Sequence, residues 1–175
     1  PGRALVIQTK DIRYGDFLIP LSDAHLSVAT SCGFHLVTRV FWAPSKFDPK
    51  RLPIFLKSKR VGHYRSYDSE IFLVLAQSSG LERRGKIEAS SVEFSKLARP
   101  VWNMPFRRRK DDHLFVSPRP VVKQLMLLLS EVGDLVVDPF SGYGTVIEVA
   151  QSIGRSGVGW DVDIACVEEA NKRLR

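Results

Sequence analysis

Cysteine is scarce in this chain: Cys32 and Cys166 are the only two in 175 residues, they lie far apart, and neither belongs to a CxxC pair. That spacing excludes a disulfide framework and a thiolate zinc site, and both residues read as buried thiols. The four histidines, His25, His35, His63 and His113, are scattered, so no metal site is expected. Long apolar runs are also missing. Ile71–Ala76 and Leu125–Leu129 are far short of the roughly 20 residues a helix needs to cross a bilayer. These residues show no signal-peptide pattern, no internal repeat and no low-complexity tract. What remains points to a cytoplasmic, globular chain, long enough for one domain with a sizeable core. Pro1 is not a native initiator, so the numbering is expected to begin inside a longer or processed product.

What is present centres on Asp134-Leu-Val-Val-Asp-Pro-Phe-Ser-Gly-Tyr-Gly-Thr145. Leu135-Val136-Val137 reads as a buried parallel strand. Gly142 and Gly144 punctuate a tight turn, and Thr145–Ser152 has helical spacing. A second β run, Gly157–Trp160, delivers Asp161 about 20 residues past the glycines, the arrangement of a nucleotide-binding βαβ unit with a ribose-binding acid. Dinucleotide sites aim the glycine turn and the helix N-terminus at an anionic pyrophosphate. Asp138 at the strand end would repel phosphates, and Ile147 occupies the place of the third fingerprint glycine. S-adenosylmethionine carries a sulfonium and an ammonium instead, and a carboxylate favours both. The methyl donor is therefore preferred over NAD.

The coarse organisation follows from pattern and punctuation. Ala4–Gln8 reads as a buried strand, and Ser22 as the cap of a helix through Ser31 closed by Gly33. Phe34–Trp42 is a long strand, 44–65 an exposed basic loop, and Glu70–Gln77 a returning antiparallel strand. Residues 78–112 lack clear periodicity. Pro120–Ser130 is a helix, and the chain closes on a helix over 164–174. Charge is segregated: residues 130–175 carry eight acids against four bases, whereas 1–129 carry 22 bases against 11 acids. Seven bases face one acid in Lys46–Arg65, and Arg107-Arg-Arg-Lys110 forms a second cluster. A basic half joined to an acidic cofactor half suits a polyanionic substrate, with Lys46, Lys50, Arg51, Arg107, Arg108 and Arg109 as candidate phosphate contacts.

Asp138-Pro-Phe-Ser-Gly-Tyr-Gly-Thr145 resembles the DPFxGSGTT signature of the S-adenosylmethionine-dependent amino methyltransferases of DNA, with Tyr143 in place of the usual small residue. Gly157-Val-Gly-Trp-Asp161-Val-Asp163 is similar to their second cofactor motif. His113-Leu-Phe-Val-Ser-Pro-Arg119-Pro120 resembles the element before the glycine strand, with arginine for lysine. Gly33–Trp42 with Pro44-Ser-Lys46, and Ser69–Val74, look like the strand pair beyond the target pocket. This order is that of the beta class. The resemblance implies a Rossmann-like α/β methyltransferase fold in permuted order. Residues 1–77 form its target-side half, 78–112 a variable segment that is a candidate DNA contact, and 113–175 the cofactor half.

It also implies roles for individual residues. Asp138, Phe140, Gly142 and Gly144 line the methionine and sulfonium end, and Pro139, Ser141 and Thr145 are further cofactor-binding candidates. Asp161, with Val162 beside it, takes the ribose. Ser117 and Arg119 at a helix start meet the methionine carboxylate. For Asp11 two readings stand, a pocket residue or a structural cap.

One family element is lacking. The amine is normally held by Asp/Asn/Ser-Pro-Pro-aromatic at a strand end, where the ring stacks on a flipped base. No such tetrapeptide occurs here: Ser117-Pro-Arg-Pro120 has the wrong third and fourth residues, and Asp11-Ile-Arg-Tyr14 lacks both prolines. Its strand belongs between Ala4–Gln8 and Leu135–Val137. A missing N-terminal segment or a complementary chain is therefore expected to supply it, and no catalytic residue is assigned here. The implied reaction is methyl transfer from S-adenosylmethionine to an amine of adenine or cytosine in DNA, as in restriction-modification. An RNA amino methyltransferase and a non-catalytic cofactor- and DNA-binding subunit are the alternatives.

Overall fold

A computed structural model describes residues 4–14, 17–43, 70–77, 99–104 and 116–174. The described residues fall into two compact units: those up to Gln77 together with 99–104, and 116–174. The basic clusters at 46–65 and 107–110 lie outside the described residues.

In the first unit the elements are β1 (Ala4–Thr9), β2 (Ile12–Tyr14), β3 (Phe17–Ile19), α1 (Leu21–Ser31), β4 (Phe34–Ala43), β5 (Glu70–Gln77) and β6 (Val101–Asn103). The main sheet has the order β1-β5-β4-β6. The expected antiparallel pairing of β4 with β5 is present, running from Phe34 opposite Gln77 to Trp42 opposite Glu70, with an irregularity between Leu36 and Thr38. β5 also pairs antiparallel with β1. Its apolar run Phe72–Ala76 is buried throughout, on both faces of the strand. Ala29 of α1 joins Leu73 and Leu75 in the core cluster, with Leu5, Ile7 and Phe34 against it.

Two features escaped the sequence reading. The β2–β3 hairpin and β6 each consist of three-residue strands, too short to show a period-2 pattern. β6 runs parallel to β4 and sets Trp102 opposite Trp42. Both indoles are buried and both N–H groups find carbonyls, Trp42 on Met104 at 3.0 Å and Trp102 on Arg99 at 2.8 Å.

The start of α1 corrects the expected cap. Pro20 occupies the N-cap position, and Ser22 lies buried inside the first turn. The Ser22 N–H instead donates to Asp11 Oδ1 at 2.9 Å. A carboxylate from an upstream loop thus satisfies a helix donor and complements the helix dipole. Of the two readings of Asp11, the geometry supports the cap. Gly33 closes the helix as expected, with φ of +84° and its N–H on the Thr30 carbonyl. Cys32, read as buried, is exposed at this helix end, and Cys166 is half-buried.

The second unit comprises α2 (Arg119–Leu129), β7 (Leu135–Asp138), α3 (Thr145–Ser152), β8 (Ser156–Gly159) and α4 (Ile164–Arg173). β7 and β8 pair in parallel, Leu135 opposite Ser156 through Asp138 opposite Gly159, with α3 as the crossover. Val122 and Met126 of α2 pack with Val149 and Ala150 of α3, and Val136 faces this cluster. β7 is not the buried strand its composition suggests: Leu135 is 63% and Val137 52% exposed. β8 occupies one of its edges, and no strand lies on the other among the described residues. Arg155 is buried and closes the base of the unit, donating to the Ile153 carbonyl at 2.6 Å and the Ser130 carbonyl at 2.8 Å. Among the described residues no helix is long and apolar enough to cross a membrane.

Removing the Asp11 cap tests the assignment. Asp11→Ala should lower stability of the complete protein by about 1 kcal/mol in denaturant unfolding, the usual cost of losing a cap. Asp11→Asn should retain most of it, since its side-chain oxygen still accepts. Equal stability of parent and alanine variant would return Asp11 to the pocket reading.

Candidate cofactor site

The site is built where β7 and β8 end side by side. The Asp138 carbonyl accepts the Trp160 N–H at 3.0 Å, and the Trp160 carbonyl accepts both the N–H and the hydroxyl of Ser141, at 2.8 and 3.0 Å. Gly142 and Gly144 then take φ of +49° and +75°, a region that side chains rarely enter. The Gly142 N–H donates to Asp161 Oδ2 at 2.8 Å, while Asp161 Oδ1 accepts from the Asp163 N–H at 2.9 Å. Asp163 caps α4 by accepting from the Ala165 N–H at 2.9 Å. The glycine turn and the acid after the second strand are therefore one hydrogen-bonded object.

Glycines outside the turn make this closeness possible. A Cβ on Gly157 would lie 2.8 Å from Ile147 Cγ2 and 3.3 Å from its Cα, and one on Gly159 would lie 2.7 Å from Ser141 Cβ. In a dinucleotide fold the third fingerprint glycine lets the helix approach the strand. Here Ile147 sits on the helix, and the space is made on the strand side by Gly157. A bare backbone still marks the contact; it has changed partner.

Electrostatics separates the two acids. Burial raises the Asp138 carboxyl above the ordinary aspartate range; the Phe140 N–H on its Oδ1 at 3.1 Å opposes that shift, and the nearby Asp161 charge adds to it. Asp161 is held below the range, first by the Asp163 N–H and then by that of Gly142. Burial, followed by the Asp163 and Asp161 charges, pushes the Cys166 thiol up, which keeps it protonated.

Of the expected residues, Ser117, Asp138, Phe140, Ser141, Gly142 and Thr145 line one pocket. Asp161 joins it through Gly142, and Gly144 is buried beneath, where a Cβ would meet that of Ala170 at 3.1 Å. Pro139 and Val162 are exposed and outside the lining. Arg119 forms an ion pair with Glu148 of α3 at 3.4 Å and does not line the pocket. Lining residues that sequence reasoning missed are Val116, Val146, Cys166 and Tyr143. Tyr143 reads in the sequence only as a departure from a motif, yet Arg173 of α4 lies over its ring, 4.9 Å from the centroid. Nothing local announces a contact so remote in sequence. Among the described residues no cluster of His, Cys, Asp or Glu could hold a metal.

The architecture is a βαβ unit carrying a glycine turn and an acid on adjacent strand ends, and a separate unit with a mixed sheet. The profile of the N6/N4 DNA methylase family matches residues 33–172, and the chain belongs to that family. The chain is 34% identical to the type II methyltransferase M.Cfr9I of Citrobacter freundii over 143 residues, which is 82% of this chain and 45% of that protein. It is 27% identical to M.BglI of Bacillus subtilis over 152 residues, 83% of this chain and 40% of the relative. It spans less than half the length of the first curated relatives it matches. Among solved structures, a putative DNA modification methylase of Thermus thermophilus complexed with S-adenosyl-L-methionine matches with a TM-score of 0.76. That match has 20% identity and covers 99% of this chain and 69% of that one. The cytosine-N4-specific PvuII DNA methyltransferase matches with a TM-score of 0.72 at 16% identity, covering 98% and 64%. The fold is thus the Rossmann-like methyltransferase fold expected from the sequence.

Gly157→Ala should lower stability by about 1–3 kcal/mol, the usual cost of overpacking, despite alanine's better strand entropy. Adding Ile147→Ala should recover part of that loss, measured as a double-mutant cycle in urea. Strict additivity would show that strand and helix do not meet at this point.

Proposed function

We propose that the protein transfers a methyl group from S-adenosylmethionine to an exocyclic amine of adenine or cytosine in DNA. The observation that carries this reading is the Asp138 carboxylate in the lining of a pocket whose glycine turn is tied to Asp161. A phosphate ligand would meet repulsion from Asp138, whereas a sulfonium and an ammonium would relieve the cost of its buried charge. The residues fit that cofactor. It supplies a methyl group made electrophilic by the positive sulfur.

In this reading Asp138, Phe140, Gly142 and Gly144, with Ser141 and Thr145, surround the methionine end, and Pro139 stays outside the lining. Asp161 accepts from the ribose diol with the lone pairs that Gly142 and Asp163 leave available. Val162 stands beside it. Ser117 meets the methionine carboxylate from just before α2, whereas Arg119, expected there from the sequence, is paired with Glu148 outside the lining. DNA as the substrate is supported by the family and by the basic clusters, where Lys46, Lys50, Arg51 and Arg107–Arg109 would contact phosphates. Residues 1–77 serve as the target-side half, 78–112 as the variable segment and 113–175 as the cofactor half.

The amine itself needs a holder that this chain does not contain. A segment on the same polypeptide, or a complementary chain, would bring the polar-Pro-Pro-aromatic element and the strand that carries it. Two features support this. Among the described residues, β1 has a partner on one edge only, and so has β7, whose Leu135 and Val137 are exposed. Unpaired apolar strand edges are the features that another strand covers.

Two outcomes test the reading. Titration calorimetry on the complete protein should show Asp161→Ala weakening S-adenosylmethionine binding roughly tenfold or more, as expected for charge-assisted hydrogen bonds. Unchanged affinity, or a preference for NAD, would remove the cofactor assignment. Residues 1–175 alone should transfer no radioactive methyl to DNA, because the acceptor nitrogen is not held in line with the sulfonium. Labelling by that chain with nothing added would dispose of the required partner segment.

A further inference from the structure

We propose that Tyr143 and Arg173 form a brace that fixes the shape of the glycine turn and thereby sets the affinity for the methyl donor. The inference rests on the reading of the pocket as a methyl-donor site, and concerns a position where this chain departs from the DPFxGSGTT pattern. Tyr143 lies between the two left-handed glycines of the turn, and it lines the pocket. Glycine gains the most conformational freedom when released, so a Gly-X-Gly turn holds one shape only if something outside it does the holding. The small residue usual at this position offers a neighbour nothing to grip. A tyrosine ring does.

The grip comes from the last turn of α4. The Arg173 guanidinium carbon sits 4.9 Å from the centroid of the Tyr143 ring, and the arginine side chain is only 10% exposed. A desolvated cation over a ring is the setting in which this attraction is strongest. Glu169, one turn earlier, orients the guanidinium through Nε at 3.4 Å. α4 meets the turn at two further places: Ala170 packs where a Cβ on Gly144 would lie, and the Asp163 cap at the other end of α4 leads back through Asp161 to Gly142. The helix therefore touches all three residues of Gly142-Tyr143-Gly144, directly or through one hydrogen-bonded acid. A turn held in this way is already in its binding shape before the ligand arrives, which lowers the ordering cost of binding. Arg173, outside the lining, is a positioning residue that acts on the ligand through Tyr143 and the turn.

The test is titration of S-adenosylmethionine into the complete protein and its Tyr143→Phe, Tyr143→Ser, Arg173→Gln and Tyr143→Ser/Arg173→Gln variants, with thermal unfolding without ligand measured alongside. Tyr143→Ser and Arg173→Gln should each raise Kd about three- to tenfold, and the double variant by no more than either alone. Tyr143→Phe keeps the ring and should stay within about twofold of the parent. Additive losses, or a Phe variant that behaves like the Ser variant, would overturn the brace. So would lowered melting temperatures with unchanged Kd, which mark a purely structural contact. Should Tyr143→Ser not fold, Arg173→Gln decides alone, because it leaves the turn sequence intact. If the parent protein itself does not bind S-adenosylmethionine while remaining folded, the pocket reading fails first and takes the brace with it.

Discussion

The hydrogen bond from the Gly142 N–H to the Asp161 carboxylate joins two segments nineteen residues apart, and the cofactor unit is arranged around it. It exists only because the backbone of β8 comes unusually close to the turn and to α3. Gly157 and Gly159 permit that approach, and a methyl group at either would meet Ile147 or Ser141 well inside contact distance. Pushing β8 outward would carry Asp161 beyond reach of Gly142. With it would go the start of α4, since the other oxygen of Asp161 accepts from Asp163, the residue that caps that helix. A small tolerance at two glycines thus governs the turn, the acid and the helix behind them.

The same bond divides labour between two neighbouring carboxylates. Backbone donors, the Asp163 N–H first and then that of Gly142, hold the Asp161 carboxyl below the ordinary aspartate range. For an acid with a depressed folded-state pKa, the stabilising contribution is present at neutral pH and is lost only as pH falls through that depressed value. Asp138 has the opposite balance: burial raises its pKa, and a single N–H from Phe140 offsets the shift only in part. The sign is reversed for this residue, because its charge is the form that folding penalises. Asp161 is an organiser of the turn, while Asp138 is an acid whose charge burial penalises. A cationic ligand would offset that penalty.

Legibility in the sequence followed the distance over which each feature is determined. The βαβ unit, the β4–β5 pair and α1 were readable because apolar spacing and glycine punctuation act within a few residues. The Gly33 stop is of this kind. Unreadable features depend on pairs remote in sequence: Asp11 with Ser22, Arg155 with Ser130, Trp42 with Trp102, Tyr143 with Arg173. Ser22 shows how a local signal misleads, since a good capping residue lies inside the first turn of the helix while an acid elsewhere satisfies its amide. The pocket shows the same division. Its motif residues were legible from the glycine signature, but Cys166 and Val116 enter it only through folding.

Burial is the property that residue type predicts least securely, and β5 and β7 show why. Both are apolar runs that read as interior strands. β5 is covered on both edges, by β1 and β4, and Leu73 and Leu75 pack with Ala29 of α1, so its centre is shielded from water. Among the described residues β7 has β8 on one edge only, and although Val136 faces α2 and α3, Leu135 and Val137 stay exposed. Composition sets how much a strand gains from being covered; topology decides whether it is. Val, Leu and Ile side chains left this open forgo on the order of 1.5–3 kcal/mol each relative to full burial. That deficit favours any segment able to pair with β7 and cover Leu135 and Val137. The same strand ends at Asp138, so a segment pairing with β7 there would also end beside the pocket.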